Sequence, residues 1–293
     1  MRRAFSIGGA CLALVAGCET RHETLTESIR QKCVDVLREG LRSDEFWPAM
    51  HAAEALTLSG RAEEVQRYLE PKLGSERDDR KRCGLARELV RAGDTSKSGI
   101  LIQVLASENP YAHVHAAESL YKVGWVGDDT PLRRAFAETE DIRLKLMSAA
   151  ALAKREDREA IDSLRKVART HPDPEIFRLA IWVLARIGNR DLDAPIVRSR
   201  LADVKTDLQR SFLENALAAL GDGEGRAAVQ RNLDSSDVAV RIYAAIFAGE
   251  SGLAEAAPQL ARQLEDSNLD ARIRAAQALL VLEKNNRLAF RNL

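Results

Sequence analysis

The sequence predicts an all-α chain, an α-solenoid of about eight stacked helix pairs, and three observations point to it. From residue 25 onward apolar residues fall at helical spacing. Gly, Pro, Asp or Asn interrupts that pattern every dozen or so residues, as tight turns between short amphipathic helices require. One apolar anchor then recurs per helix pair with a period of about 32 residues, the mark of a repeat architecture.

Composition agrees with this reading. Apolar residues make up 45 % and aromatics 5 %, so the core is expected to be Leu, Ile, Val and Ala, which suits helices better than strands. Bases and acids balance at 44 each. A nucleic-acid binder needs a basic stripe to displace counterions, and no net excess supplies one. The densest basic run, Arg77, Arg80, Lys81 and Arg82, is interleaved with Asp78 and Asp79 and reads as a solvated helix start.

In chain order, residues 1–17 read as a leader. Met1-Arg2-Arg3 is a basic start, and Ala4 to Gly17 is an apolar run of fourteen residues, short of the roughly 20 that span a bilayer but suited to a signal peptide. It closes as Leu14-Val15-Ala16-Gly17-Cys18. This motif resembles the bacterial lipobox, which implies a diacylglycerol on Cys18, cleavage before it, and a place on the periplasmic side of a membrane in the cell envelope. Glu19 at the next position would direct it to the outer membrane by the enterobacterial sorting pattern. Loss of Arg2 and Arg3 leaves a mature formal charge of −2. Residues 18–24 form a short linker.

Residues 25–283 hold the repeats. The anchors are Leu56, Leu89, Leu120, Leu152, Leu184, Leu220, Ala248 and Leu279, spaced 33, 31, 32, 32, 36, 28 and 31. Four residues before them stand Ala52, Leu85, Ala116, Ser148, Ala180, Ala216, Ala244 and Ala275, mostly small, which lets a neighbouring helix approach closely. Four residues after them stand Gly60, Gly93, Gly124, Gly188 and Gly252, where a left-handed helix cap is expected. The pairs fall near 25–60, 61–93, 94–124, 127–156, 157–188, 191–222, 223–250 and 252–283, and residues 284–293 read as a polar tail. Cys33 and Cys83 sit on apolar faces and are expected as buried free thiols.

The stretch Ala256-Ala257-Pro258-Gln259-Leu260, Leu264-Glu265-Asp266 and Asp270-Ala271-Arg272-Ile273-Arg274-Ala275-Ala276-Gln277-Ala278-Leu279 resembles a short HEAT repeat. The resemblance covers about residues 25–283, is weakest at the sixth repeat, and implies a binding scaffold with a long concave surface lined by second helices. The implied partner is an unidentified exported or envelope protein, and no nucleic acid.

One constellation stands out. Met50-His51-Ala52-Ala53-Glu54 in the first repeat is echoed by Val114-His115-Ala116-Ala117-Glu118 in the third, and His and Glu three apart share a helix face. Glu54, Arg87 and Glu118 occupy one column, so Arg87 is expected to bridge or neutralise the two acids. With Gly84 leaving a gap between the imidazoles, Trp47, His51, Glu54, Arg87, Tyr111, His115 and Glu118 form a candidate binding groove. A metal-dependent enzyme is the alternative, because HEAT-like enzymes such as deoxyhypusine hydroxylase hold iron with adjacent His-Glu pairs. Here two alanines separate each pair, and second helices two repeats apart should lie about 16–20 Å from one another. The expectation is therefore no metal, no cofactor and no catalytic residue.

Overall fold

The structure, a computed structural model, describes residues 25–124 and 127–291, with side chains through 285. The leader, the lipobox and Cys18 lie outside the described residues. No helix among the described residues is long and apolar enough to cross a membrane.

Among the described residues, sixteen α-helices form eight antiparallel-connected pairs: α1 (Glu27–Leu41) with α2 (Phe46–Leu58), α3 (Ala62–Ser75) with α4 (Asp79–Arg91), α5 (Ser98–Leu105) with α6 (His113–Val123), and α7 (Thr130–Glu138) with α8 (Ile142–Ala153). Then follow α9 (Arg158–Thr170) with α10 (Pro174–Ile187), α11 (Arg190–Arg200) with α12 (Asp207–Ala219), α13 (Gly223–Leu233) with α14 (Val238–Glu250), and α15 (Ala257–Gln263) with α16 (Leu269–Arg291). The fold class and the pair order are those expected from the sequence. Residues 284–291, expected as a tail, continue α16 instead.

Local chemistry sets the helix starts. Asp78, Asp141, Asp173 and Asp237 each accept a backbone N–H of the first turn of α4, α8, α10 and α14, satisfying donors that have no partner inside the helix. The anchor column is buried throughout, with Leu56, Leu120 and Leu184 wholly enclosed. Burying a leucine contributes about 1.5–3 kcal/mol, so the column acts as the spine of the stack.

The sixth anchor is Leu217, not Leu220. The carbonyls of Leu56, Leu89, Leu217 and Ala248 each accept the N–H five residues on, at 2.9–3.0 Å, closing the helix in the same way. Gly221, four residues after Leu217, has φ +79°, matching Gly60, Gly93, Gly124 and Gly252. With Leu217 the irregular spacings 36 and 28 become 33 and 31. Gly188 breaks the glycine column: its backbone is extended at φ −78°. In the sixth pair the small residue has moved to the facing helix, since a Cβ on Gly225 would lie 2.4 Å from Ala218 N and 2.7 Å from Leu217 Cβ.

The stack closes on itself. Each even-numbered helix packs on the next, and α16 packs on both α2 and α1. One hydrophobic core runs through this seam, with Cys33, Leu37, Ala52 and Leu56 in the same cluster as Ile273, Ala276 and Leu279. Ile273 seats so tightly that a Cβ on Gly40 would lie 2.6 Å from its Cδ1. Ion pairs flank the contact: Arg30–Glu283 at 2.6 Å, Arg272–Glu39 at 2.7 Å, Arg274–Glu54 at 3.0 Å, and Lys32–Glu265. The solenoid thus closes into a ring.

Candidate binding site in the central cavity

Ring closure turns the surface expected to be a long concave groove into a cavity of about 750 Å³. All eight even-numbered helices contribute to its wall. The repeat register decides which residues face in. The column five residues before the anchors supplies His51, Met147, Leu179, Phe212, Tyr243 and Arg274. The column two residues after them supplies Leu58, Arg91, Lys122, Lys154, Arg186 and Glu250. The cations of this second column stand at helix C-termini, where the backbone dipole favours positive charge.

Of the seven groove residues expected from the sequence, His51, Glu54 and Glu118 line the cavity. Glu54 is gripped by Arg91 at 3.1 Å and by Arg274 at 3.0 Å, joining the first, second and eighth pairs. Burial alone would raise its pKa, but Arg91, Arg274, Lys122 and Arg87 hold it well below the ordinary carboxylate range. Glu118 pairs with Lys122 at 2.7 Å. Burial opposes its ionisation, yet Lys122, Arg87 and His115 bring its pKa down to about 2.

Arg87 does not bridge the two acids. Buried to 5 % exposure, its Nε donates to Glu88 Oε1 at 2.5 Å, and Glu88 also takes Arg91 at 2.9 Å. The reason is local: Glu88 is wholly buried beside it and needs a cation more than the solvent-touched Glu54 and Glu118 do. Arg87 still acts on both at a distance, lowering their pKa values.

His51 Nδ1 lies 2.7 Å from Asp270 Oδ1 across the seam. Burial, then Arg274, lowers the His51 pKa against the pull of Asp270, and Asp270 stays ionised below the usual range because His51 and Arg274 outweigh its own desolvation. At neutral pH the contact is a neutral imidazole Nδ1–H donating to a carboxylate.

The remaining residues sit at one end of the ring, at the helix N-termini. The gap expected at Gly84 is filled by Phe46 and Trp47, whose ring atoms would lie 2.9–3.4 Å from a Cβ there. Through this space Trp47 reaches His115, with ring centroids 5.6 Å apart. Tyr111 stands 47 % exposed, with Arg80 stacked 4.1 Å above its ring and its hydroxyl donating to Asp78 at 3.1 Å. Trp47 is 39 % exposed. Among the described residues no three of His, Cys, Asp and Glu converge as ligands of one ion would. Cys33 and Cys83 are buried free thiols, and burial pushes both pKa values up to about 12.

The cavity residues that the sequence reading did not place at a site include Tyr121, Lys154, Trp182 and Arg186. Tyr121 and Trp182 meet edge to face at 5.4 Å, and Arg186 stacks 4.4 Å over Trp182 while pairing with Glu250 at 2.8 Å. The repetition Arg91, Lys122, Lys154, Arg186, one per repeat two residues past the anchor, was the available signal.

Residues 130–218, which span α7 to most of α12, match the family model of the HEAT repeats. This stretch carries HEAT repeats. Among solved structures, the chain is similar to human deoxyhypusine hydroxylase in complex with glycerol, at 15 % identity over 88 % of this chain and 98 % of that one, with a TM-score of 0.42. It is also similar to an engineered protein at 15 % identity, over 88 % of this chain and 98 % of that one, with a TM-score of 0.30. No curated protein matches it.

Proposed function

We propose that this HEAT-repeat chain is a non-catalytic binding scaffold of the bacterial cell envelope, tethered through a lipid on Cys18 and holding an exported protein partner at one rim of its ring. The observation that supports binding over catalysis is the condition of Glu54 and Glu118, the carboxylates of the two His/Glu pairs. Glu54 and Glu118 are held as anions by facing cations, and a general acid or base working near neutrality needs a pKa close to the working pH. The alternative, a metal-dependent enzyme using the His51/Glu54 and His115/Glu118 region, would have to bring those pairs together. In this ring His51 turns to Asp270, and His115 to Trp47.

A cavity of this size suits a small molecule better than a folded partner. The protein partner is therefore assigned to the rim, where Trp47 and Tyr111 are large, exposed and stiffened by His115, Arg80 and Asp78. Aromatic residues of this kind anchor interfaces. The tether rests on Leu14 to Cys18 alone.

Two measurements test the reading. Wild type should incorporate labelled fatty acid and partition with membranes, and Cys18→Ala should do neither; equal labelling would remove the tether. A protein co-purifying from solubilised membranes should be retained by wild type and lost from the double variant Trp47→Ala, Tyr111→Ala. Retention by that variant would remove the rim.

A further inference from the structure

Beyond the scaffold reading, and independent of its tether and partner, two neighbouring residues of the cavity wall carry groups that the ring itself leaves unsatisfied. The first is Tyr121. Its side chain is 1 % exposed and belongs to the cavity wall, yet its hydroxyl makes no hydrogen bond. Buried hydroxyls are almost always partnered, so an orphan in a residue of the cavity wall marks a place where another molecule can supply the acceptor. The second is Lys154. Its three companions in the cationic row are each engaged by a carboxylate, Arg91 by Glu54 and Glu88, Lys122 by Glu118, and Arg186 by Glu250. Lys154 has no carboxylate within ion-pair distance among the described residues; its ammonium lies 4.9 Å from the centre of the Tyr121 ring.

The two features coincide. Lys154 is exposed to solvent, and the protein around it, then Arg91 and Arg186, lower its pKa. An anion placed there would meet the free ammonium, the orphan hydroxyl and the field of Arg186 at once. Further along the wall the lining turns apolar and aromatic, with Met147, Leu179, Trp182, Phe212, Tyr243 and Ile246. A volume of about 750 Å³ falls within the range of small-molecule sites.

We propose that the cavity binds an amphipathic organic anion, a monocarboxylate whose head lies between Lys154 Nζ and Tyr121 Oη and whose aromatic or alkyl body lies against the apolar wall. The hydroxyl donates to the carboxylate, the ammonium balances its charge, and the apolar body displaces water from Trp182 and its neighbours. No bond is made or broken.

The test is calorimetric titration of the full chain with 2-naphthoate and octanoate, beside their neutral alcohols 2-naphthalenemethanol and octanol. At least one carboxylate should bind saturably, and its alcohol at least tenfold more weakly. Lys154→Met should weaken the carboxylate at least tenfold and leave the alcohol unchanged. Tyr121→Phe should weaken the carboxylate about threefold or more while the thermal midpoint of the free protein stays level or rises, because the orphan hydroxyl contributes nothing without a ligand. A structural role for Tyr121 would instead lower that midpoint. Absence of saturable binding by both carboxylates, equal binding of acid and alcohol, or affinities unmoved by both substitutions would overturn the proposal.

Discussion

His51 in the first repeat and Asp270 in the last, 219 positions apart in sequence, meet at 2.7 Å and join the two ends of the chain into a ring. Burial keeps His51 neutral more firmly than Asp270 can charge it, so folding favours the unprotonated imidazole. A histidine whose folded pKa lies below its unfolded value of 6.5 costs stability as pH falls from about that value toward the folded one. Stability should therefore begin to fall below about pH 6.5, before Glu54, Glu118 and Asp270 titrate. His51→Asn should flatten this limb and leave the more acidic one, where Glu54, Glu118 and Asp270 with their depressed pKa values become protonated. Thermal midpoints measured from pH 8 to pH 3 report it; an unchanged upper limb in the variant would assign that limb to His115, whose pKa burial also lowers.

Arg274→Ala should destabilise the ring. Arg274 is nearly buried and shares Glu54 with Arg91, so its removal leaves that carboxylate with one cation in place of two. Loss of a hydrogen bond to a charged group costs about 1.5–3 kcal/mol. Arg272→Ala, whose partner Glu39 is largely exposed, should cost less than about 1 kcal/mol. Equal shifts of the thermal midpoint in the two variants would mean that the inner pair does no more than the outer one.

Gly84→Ala sets two effects against each other. Alanine is favoured over glycine inside a helix by about 1 kcal/mol, but its Cβ would lie 2.9 Å from Phe46 Cε1 and 3.0 Å from Cζ. Overpacking of this kind costs about 1–3 kcal/mol, and the Trp47–His115 contact depends on the same space. A net loss of stability with a changed Trp47 emission is expected. A more stable protein with unchanged emission would show that the rings yield freely.

Ala276→Leu tests the register of the small-residue columns. Ala276 is wholly buried in the core that runs through the seam, so a leucine should cost about 1–3 kcal/mol. Lys284→Leu, at an exposed site of the same helix, should matter little. Urea midpoints compare the two, and equal shifts would mean that the columns are out of register.

The repeat itself was legible because each buried column demands one kind of residue, and the demand recurs every turn of the stack. The sixth anchor was not, because Leu217 and Leu220 are three apart and share an apolar face; the carbonyl that accepts the N–H of Asp222 and the left-handed Gly221 separate them. Closure was hidden for a different reason. It sums eight small rotations, each set by the bulk of facing side chains, and the sign of that sum is not written in any one repeat. At the site, Glu54 and Glu118 could be placed by helical spacing alone. The pairing of Arg87 could not, because Glu88 sits on a column that faces the core rather than the cavity.

The seam between α1 and α16 also has a meaning in time. Arg30 and Glu283 are 253 residues apart, so during synthesis the first helix pair is made long before the helix that covers it exists. Until then the apolar surface of α1 and α2 that Ile273, Ala276 and Leu279 later enclose stands open to water. The middle repeats can stack as they emerge, each on the one before. The earliest-made part of this protein is thus the last to be sheltered, and a ribosome that stops short of residue 269 releases a chain with two sticky ends.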